Sequence, residues 1–328
     1  MQWYQHYANG ITCLLCEHYC FLTPGQTGRC FNQQNQNGEL VTTTFGTPSA
    51  LSITHIEDRP FLHLLPGSTA LALGTTGCNM QCPGCQNHQL TQHFEHIEPL
   101  DLQPGNVVKL ALENNTESVA FSYNDPVVFY PYAKAIGEIA NDKALKTLFQ
   151  TAGLASPMLI DDLTEWASAI HVDLKSFNPA FYKSVLGGSL CIVKENLRTL
   201  AKKANWLEIT TLVVNGVNDS DEELQAIATF IAEELGPHTP WHISAFTPAN
   251  HRLNMKPTTT SSLLNAYEIG KRAGLHYVYF GNVPWLNETR CPGCDALLIQ
   301  RREYEILENN LDNGQCPHCR RAIEGIWS

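Results

Sequence analysis

From residue 68 onward, short β-branched or apolar runs alternate with amphipathic stretches, the pattern of repeated strand–helix units that build a parallel sheet. Six strands are expected at STALALG (68–74), ESVAFS (117–122), LKTLFQ (145–150), AIHVDL (169–174), LEITTLVV (207–214) and WHISAF (241–246), and HYVYFG (276–281) offers a seventh. Between the fifth and sixth, ELQAIATFIAEEL (223–235) places Ile227, Ile231 and Leu235 four apart on one helical face, its acidic residues mostly elsewhere. Asn218, Asp219 and Ser220 form its N-cap region, and Gly236-Pro237 stops it. Similar cues bracket VKENLRTLAKKA (193–204). The middle of the chain, residues 67–287, therefore reads as an α/β domain, a partial barrel of six β/α units.

Two segments break that rhythm. Residues 1–66 are rich in Cys, Gly and Gln, and residues 288–328 in Cys and charge. Both read as small appended modules. Within the first, the polar run NQQNQNGE (32–39) is expected to be a turn or exposed loop.

Composition narrows the function classes. Lys plus Arg total 21 against 32 for Asp plus Glu, a formal charge of -11. This disfavours a polyanionic partner or an anionic membrane surface, so neither nucleic acid nor membrane is expected. MQWYQHYANG has no cationic or apolar signal region, and no run of about 18 apolar residues follows. A cytosolic, soluble protein is the expectation. In a reducing compartment, twelve cysteines with eleven in three tight groups point to metal ligands and not to disulfides. Cys191 stands outside the groups, after Gly187-Gly188, and reads as a packed small hydrophobe.

The segment GTTGCNMQCPGCQN sets Cys78, Cys82 and Cys85 directly after the first strand, where a barrel carries its active-site loops. A four-iron cube takes four thiolates, so three ligands in one loop leave an iron free to bind a cofactor or substrate directly. The alternative is a zinc knuckle completed by His88 or His93. Further polar groups recur at the strand ends: Ser122, Asn124 and Asp125 after the second, Asp173 and Lys175 around the fourth. Asp173 and Lys175, two apart, project to one side if the strand continues, and otherwise make a salt bridge at the barrel mouth. His242 is a lone histidine between Trp241 and Ile243. Such a residue is more often a hydrogen-bonded core histidine, and only its strand-end position makes it a candidate acid or base.

At the C-terminus, CPGC (Cys291, Cys294) and CPHC (Cys316, Cys319) have the spacing of a four-cysteine zinc ribbon, with a rubredoxin-like iron as second choice. Cys13, Cys16, Cys20 and Cys30 supply four more thiolates within 18 residues. A structural zinc and an auxiliary iron–sulfur cluster for electron relay both suit them, with zinc slightly preferred.

C-x3-C-x2-C on the first loop of a partial barrel resembles the radical S-adenosylmethionine (SAM) superfamily, and the resemblance implies a [4Fe-4S] cluster that reductively cleaves SAM to a 5'-deoxyadenosyl radical. It further implies that SYNDPVVFYPY, through Asn124 and Asp125, receives the methionyl ammonium, and that VDLKSFN contacts SAM. Taken with CLLCEHYC, GQTGRC, FLHLLPGS, VVNGVNDS, PWHISAF, YVYFGNVP and the terminal EGIW, the module order resembles the AmmeMemoRadiSam-system radical SAM enzymes, relatives of the pyruvate formate-lyase activating enzymes. That resemblance implies an external electron donor and Memo-type and AMMECR-type partner proteins, and leaves the substrate open. Three departures stand out. Asp125 replaces the usual Glu, Thr151-Ala152-Gly153 replaces a more typical Asn-Gly, and Asp295 and Arg320 replace glycines after the knuckles, which suggests altered turns there. Two other functions compete: a glycyl-radical activase acting on a protein backbone, and a non-catalytic zinc-binding scaffold.

Overall fold

The computed structural model describes residues 2–94 and 96–328. Eight strands share one sheet, in the spatial order Val278–Gly281, Trp241–Ala245, Leu207–Val213, Ala169–Asp173, Lys146–Thr151, Ser118–Phe121, Thr69–Gly74 and Ala50–His55. The first seven are parallel and lie in chain order. That is one strand more than a six-unit barrel, because the aromatic run at the end of the series does pair: Trp241 lies opposite Val278 and Ile243 opposite Phe280. Ser118–Phe121 and Trp241–Ala245 are buried at every position, as expected of strands covered on both faces.

Ala50–His55 falls inside the segment read as the N-terminal module, yet it joins this sheet antiparallel to Thr69–Gly74, with Leu51 opposite Leu73. Its polar alternate positions, Ser52 and Thr54, suit an edge strand and hide it from a search for apolar runs.

The covering helix runs Asp221–Phe230, capped by Ser220, whose hydroxyl accepts from the Glu223 amide at 3.2 Å. It continues through a wider turn at Ile231–Leu235 and stops at Gly236, whose φ of 116 favours glycine. Leu190–Lys203 is capped by Ser189 in the same way. Cys191, at the start of that helix, is exposed, so the expectation of a packed cysteine fails. Among the described residues, no helix is long and apolar enough to cross a membrane.

One end of the barrel is closed by the segment after Ala50–His55, which buries Ile56, Phe61, Leu62, His63 and Leu64. The polar run at 32–39 is not an exposed loop. Gln33–Gln36 pairs with Glu39–Thr42, and Asn32, Gln33 and Asn35 are buried with their amides spent on backbone carbonyls of Thr76, Val128 and Leu22 at 2.6 to 2.8 Å. A buried amide is tolerated when it is bonded in this way. At the other terminus, Leu286–Arg290, Leu297–Arg302 and Glu305–Asn309 form an antiparallel sheet. Its Leu298 and Ile299 pack with Leu62, Tyr277 and Tyr279 of the barrel.

Candidate functional site

The cysteine trio is held by backbone and amide contacts. Thr69–Gly74 ends, and Asn124 grips the turn that follows: its carbonyl accepts from the Thr75 amide at 3.0 Å, and its amide donates to the Gly77 carbonyl at 2.8 Å. Gly77 has φ +77, and a Cβ there would meet the Cys30 carbonyl oxygen at 2.1 Å. Only glycine suits that contact. Beyond it, the Gln81 amide donates to the Leu186 carbonyl at 3.0 Å, and Cys85 closes a turn onto the Cys82 carbonyl at 3.2 Å.

Cys78, Cys82 and Cys85 open on a cavity of about 430 Å³. That volume falls in the range of small-molecule sites. Asn124, Asp125, Asp173 and Lys175 line it as well. No fourth cysteine and no histidine is among the described residues of its wall; neither His88 nor His93 lines it. Desolvation pushes the Cys78 thiol well up, and the Asp125 carboxylate adds to this. A cationic metal at the Cys78 sulfur would offset that penalty.

The carboxylate of Asp125 is already partnered. It accepts from the Thr151 hydroxyl at 2.8 Å and from the amides of Ala152 and Val127, each at 3.1 Å. The Thr-Ala-Gly loop that departs from the family pattern thus meets Asp125 directly. Lys175 donates to Asp173 at 3.0 Å. Burial alone would lower Lys175, but the neighbouring Asp173 carboxylate opposes this and the ammonium stays charged.

Two expected residues do not reach the cavity wall. Ser122 is buried behind Arg59, which donates to its hydroxyl at 3.0 Å. His242 is one layer deeper in the barrel, its Nε2 2.6 Å from Glu208 Oε2. A carboxylate that already receives Leu62 N, His63 N and the Trp206 indole engages this imidazole, so His242 is a core histidine and not an acid or base facing a ligand.

Several wall residues escaped the sequence reading. Gln150, Ser244 and Asn282 sit at or just past strand ends, so the barrel rule could have found them, whereas Thr210 lies in mid-strand. Arg59 comes from the closing segment before the first parallel strand, pairs with Asp58, and lies 5.0 Å from the Tyr123 ring centre. Nothing in the sequence pattern marks it.

Elsewhere, the ligand atoms of Cys291, Cys294, Cys316 and Cys319 all lie within 4.8 Å of one another. At the knuckles, Asp295 and Arg320 take left-handed backbone (φ 59 and 62), the conformation that favours glycine, and close turns onto the Cys291 and Cys316 carbonyls at 2.8 and 3.0 Å. Cys13, Cys16, Cys20 and Cys30 surround one small void.

The sequence profile of the Radical SAM superfamily matches residues 73–231. An uncharacterized protein of Methanocaldococcus jannaschii is 31% identical over 321 residues, 96% of each chain. The isethionate sulfite-lyase activating enzyme of Oleidesulfovibrio alaskensis is 29% identical over 35% of this chain and 38% of its own. The pyruvate formate-lyase-activating enzyme of Streptococcus mutans is 24% identical over 47% of this chain and 63% of its own. Among solved structures, a radical SAM methyltransferase from Sphaerobacter thermophilus shares the fold over 67% of this chain and 68% of that one, with a TM-score of 0.53 at 15% identity.

Proposed function

The chain belongs to the radical SAM superfamily, and we propose that Cys78, Cys82 and Cys85 hold its [4Fe-4S] cluster while the adjoining cavity receives SAM. One observation carries the reading: three thiols, and no fourth cysteine or histidine among the described wall residues, open on a cavity of about 430 Å³. Three ligands leave one iron of a four-iron cube for an external group. When bound, cluster and SAM together supply a 5'-deoxyadenosyl radical that takes hydrogen from a substrate.

The chain's own residues position and enclose. Asn124 fixes the turn that leads into Cys78. Asp125, tied to the following strand end, and the Asp173–Lys175 pair give the wall acceptors and one donor, the mixture that an ammonium, a carboxylate and ribose hydroxyls require. Anaerobic reconstitution followed by assay for 5'-deoxyadenosine tests this reading. The expected product forms in the native protein and not in Cys78→Ala; a zinc-loaded trio without iron would sink it, and would favour the scaffold.

The substrate is open. Two activating-enzyme relatives favour a glycyl-radical activase as a second reading, and a stable radical raised on a partner protein would support it. Pairing with Memo-type and AMMECR-type proteins, an external electron donor, and zinc at Cys291, Cys294, Cys316 and Cys319 complete the proposal. Sulfur pairs 3.4 and 3.6 Å apart support the zinc.

A further inference from the structure

The two cysteine quartets share a local fingerprint. At the C-terminal set, whose four ligand atoms lie within 4.8 Å of one another, the Gly293 amide donates to the Cys291 sulfur at 3.4 Å, two residues back. The same two-residue reach recurs in the N-terminal set, where the backbone amides of Leu15, His18 and Asn32 bond Cys13, Cys16 and Cys30. Burial raises all three thiols, and each of these amides acts against it by favouring the thiolate, the form that binds metal. Together with Cys20 the three surround a void of about 10 Å³, roughly the space that one water molecule fills. That space takes one ion and has no room for a cube of four irons and four sulfides. Four cysteines around a space of this size match the closed, four-coordinate zinc sites that serve structure.

We propose that Cys13, Cys16, Cys20 and Cys30 hold a single zinc ion that braces the turn leading into Cys78. Between Cys13 and Cys30 the regular structure among the described residues is the two-residue strand Phe21–Leu22, so few backbone bonds fix this segment and a metal has work to do there. Groups between and beside the four ligands run to the turn. His18, between Cys16 and Cys20, sets its Nε2 2.8 Å from the Asn79 carbonyl oxygen. The Asn32 side-chain amide, just past Cys30, donates to the Thr76 carbonyl at 2.6 Å. The Cys30 carbonyl oxygen lies 2.1 Å from where a Gly77 Cβ would be. On its other side the Leu15 carbonyl accepts from the Ser156 amide at 3.0 Å, which ties the segment to the chain after Lys146–Thr151. An ion that locks the four sulfurs therefore locks the groups that hold residues 76–79. The site goes beyond the catalytic reading and stands whether or not the trio binds a cluster.

The test uses the full chain carrying Cys78→Ala, Cys82→Ala and Cys85→Ala, so that no metal at the trio contributes. It is produced with zinc and iron both supplied, purified without oxygen, and counted for zinc, iron and sulfide. About two zinc ions per chain are expected, about one after Cys294→Ser/Cys319→Ser, and about one after Cys16→Ser/Cys20→Ser. The Cys294→Ser/Cys319→Ser chain leaves the N-terminal segment untouched, so the count does not hang on whether Cys16→Ser/Cys20→Ser folds. Loss of all zinc in that chain, or iron in its place with or without sulfide, overturns the site; so does zinc that Cys16→Ser/Cys20→Ser leaves undiminished. The bracing is read by amide hydrogen exchange in the same background. Thr75 and Gly77, whose amides bond the Asn124 side chain and the Leu90 carbonyl, should exchange several-fold faster in Cys16→Ser/Cys20→Ser, while Leu207–Val213 keeps its protection. Unchanged exchange at Thr75 and Gly77 in a chain that has lost the ion overturns the bracing.

Discussion

His242 and Glu208 form a pair sealed inside the barrel, Nε2 to Oε2 2.6 Å, with both residues almost wholly buried. Removing one partner of such a pair leaves the other's charge buried and uncompensated, at a cost of about 3–5 kcal/mol. His242→Ala should therefore lower unfolding stability by that amount, measured in denaturant. At a temperature where it stays folded, it should cleave SAM at close to the native rate. A variant of native stability that had lost cleavage would return His242 to the chemistry.

The same layer makes the protein acid-sensitive. His63 and His171 are fully buried, and desolvation pushes both down to about 4 from an ordinary 6.5. Neutral imidazoles suit the fold, so their contribution is complete above about pH 6.5. It is lost as pH falls toward 4, because the unfolded chain binds the protons first. Each group adds up to about 1.4 kcal/mol per pH unit across that window. Burial alone would raise Glu208, but the hydrogen bond from His242 brings it to about 2, so its own loss comes only in stronger acid. His63→Gln should flatten the decline between pH 6.5 and 4. Denaturant curves with the same pH slope as the native protein would contradict this.

The strand–helix series and the place of the cysteine trio on the cavity wall were legible because each rests on local pattern. Apolar strand runs fell within two residues of the observed ends, and the cysteine spacing is local too. What stayed hidden depends on partners distant in sequence. Asn35 looks like loop until it meets the Leu22 carbonyl, and His242 looks like a strand-end base until Glu208 is found beneath it. Arg59 reaches the cavity from a segment that precedes the first parallel strand, a placement that only the closed fold creates.

Gly77 meets the N-terminal segment, at Cys30, just before the loop that carries Cys78. Its φ of +77 strains any side chain, and a Cβ would strike the Cys30 carbonyl, so Gly77→Ala must displace the turn before Cys78. A shift on the order of 1 Å at a reacting site costs on the order of a hundredfold in rate. The expected outcome is a loss of that size in 5'-deoxyadenosine formation, with less iron retained. Native rates and iron content in this variant would show that the contact can relax without consequence.

Arg320 tests the C-terminal knuckle. Left-handed backbone costs a residue with a side chain roughly 1–2 kcal/mol, and glycine escapes that cost while giving up about 0.5–1 kcal/mol of unfolded-chain entropy. Arg320→Gly also loses an ion pair to Asp312, but both side chains are largely exposed and such a pair contributes little. The net gain should be at most about 1.5 kcal/mol. Arg320→Val removes the same ion pair and adds a β-branched side chain at φ 62, so it must fall below the native protein. After loading with zinc, release of the ion to a competing chelator should accordingly be slowest for glycine, intermediate for arginine and fastest for valine. Equal release from the glycine and valine variants would mean that backbone strain at the knuckle does not govern how the metal is held.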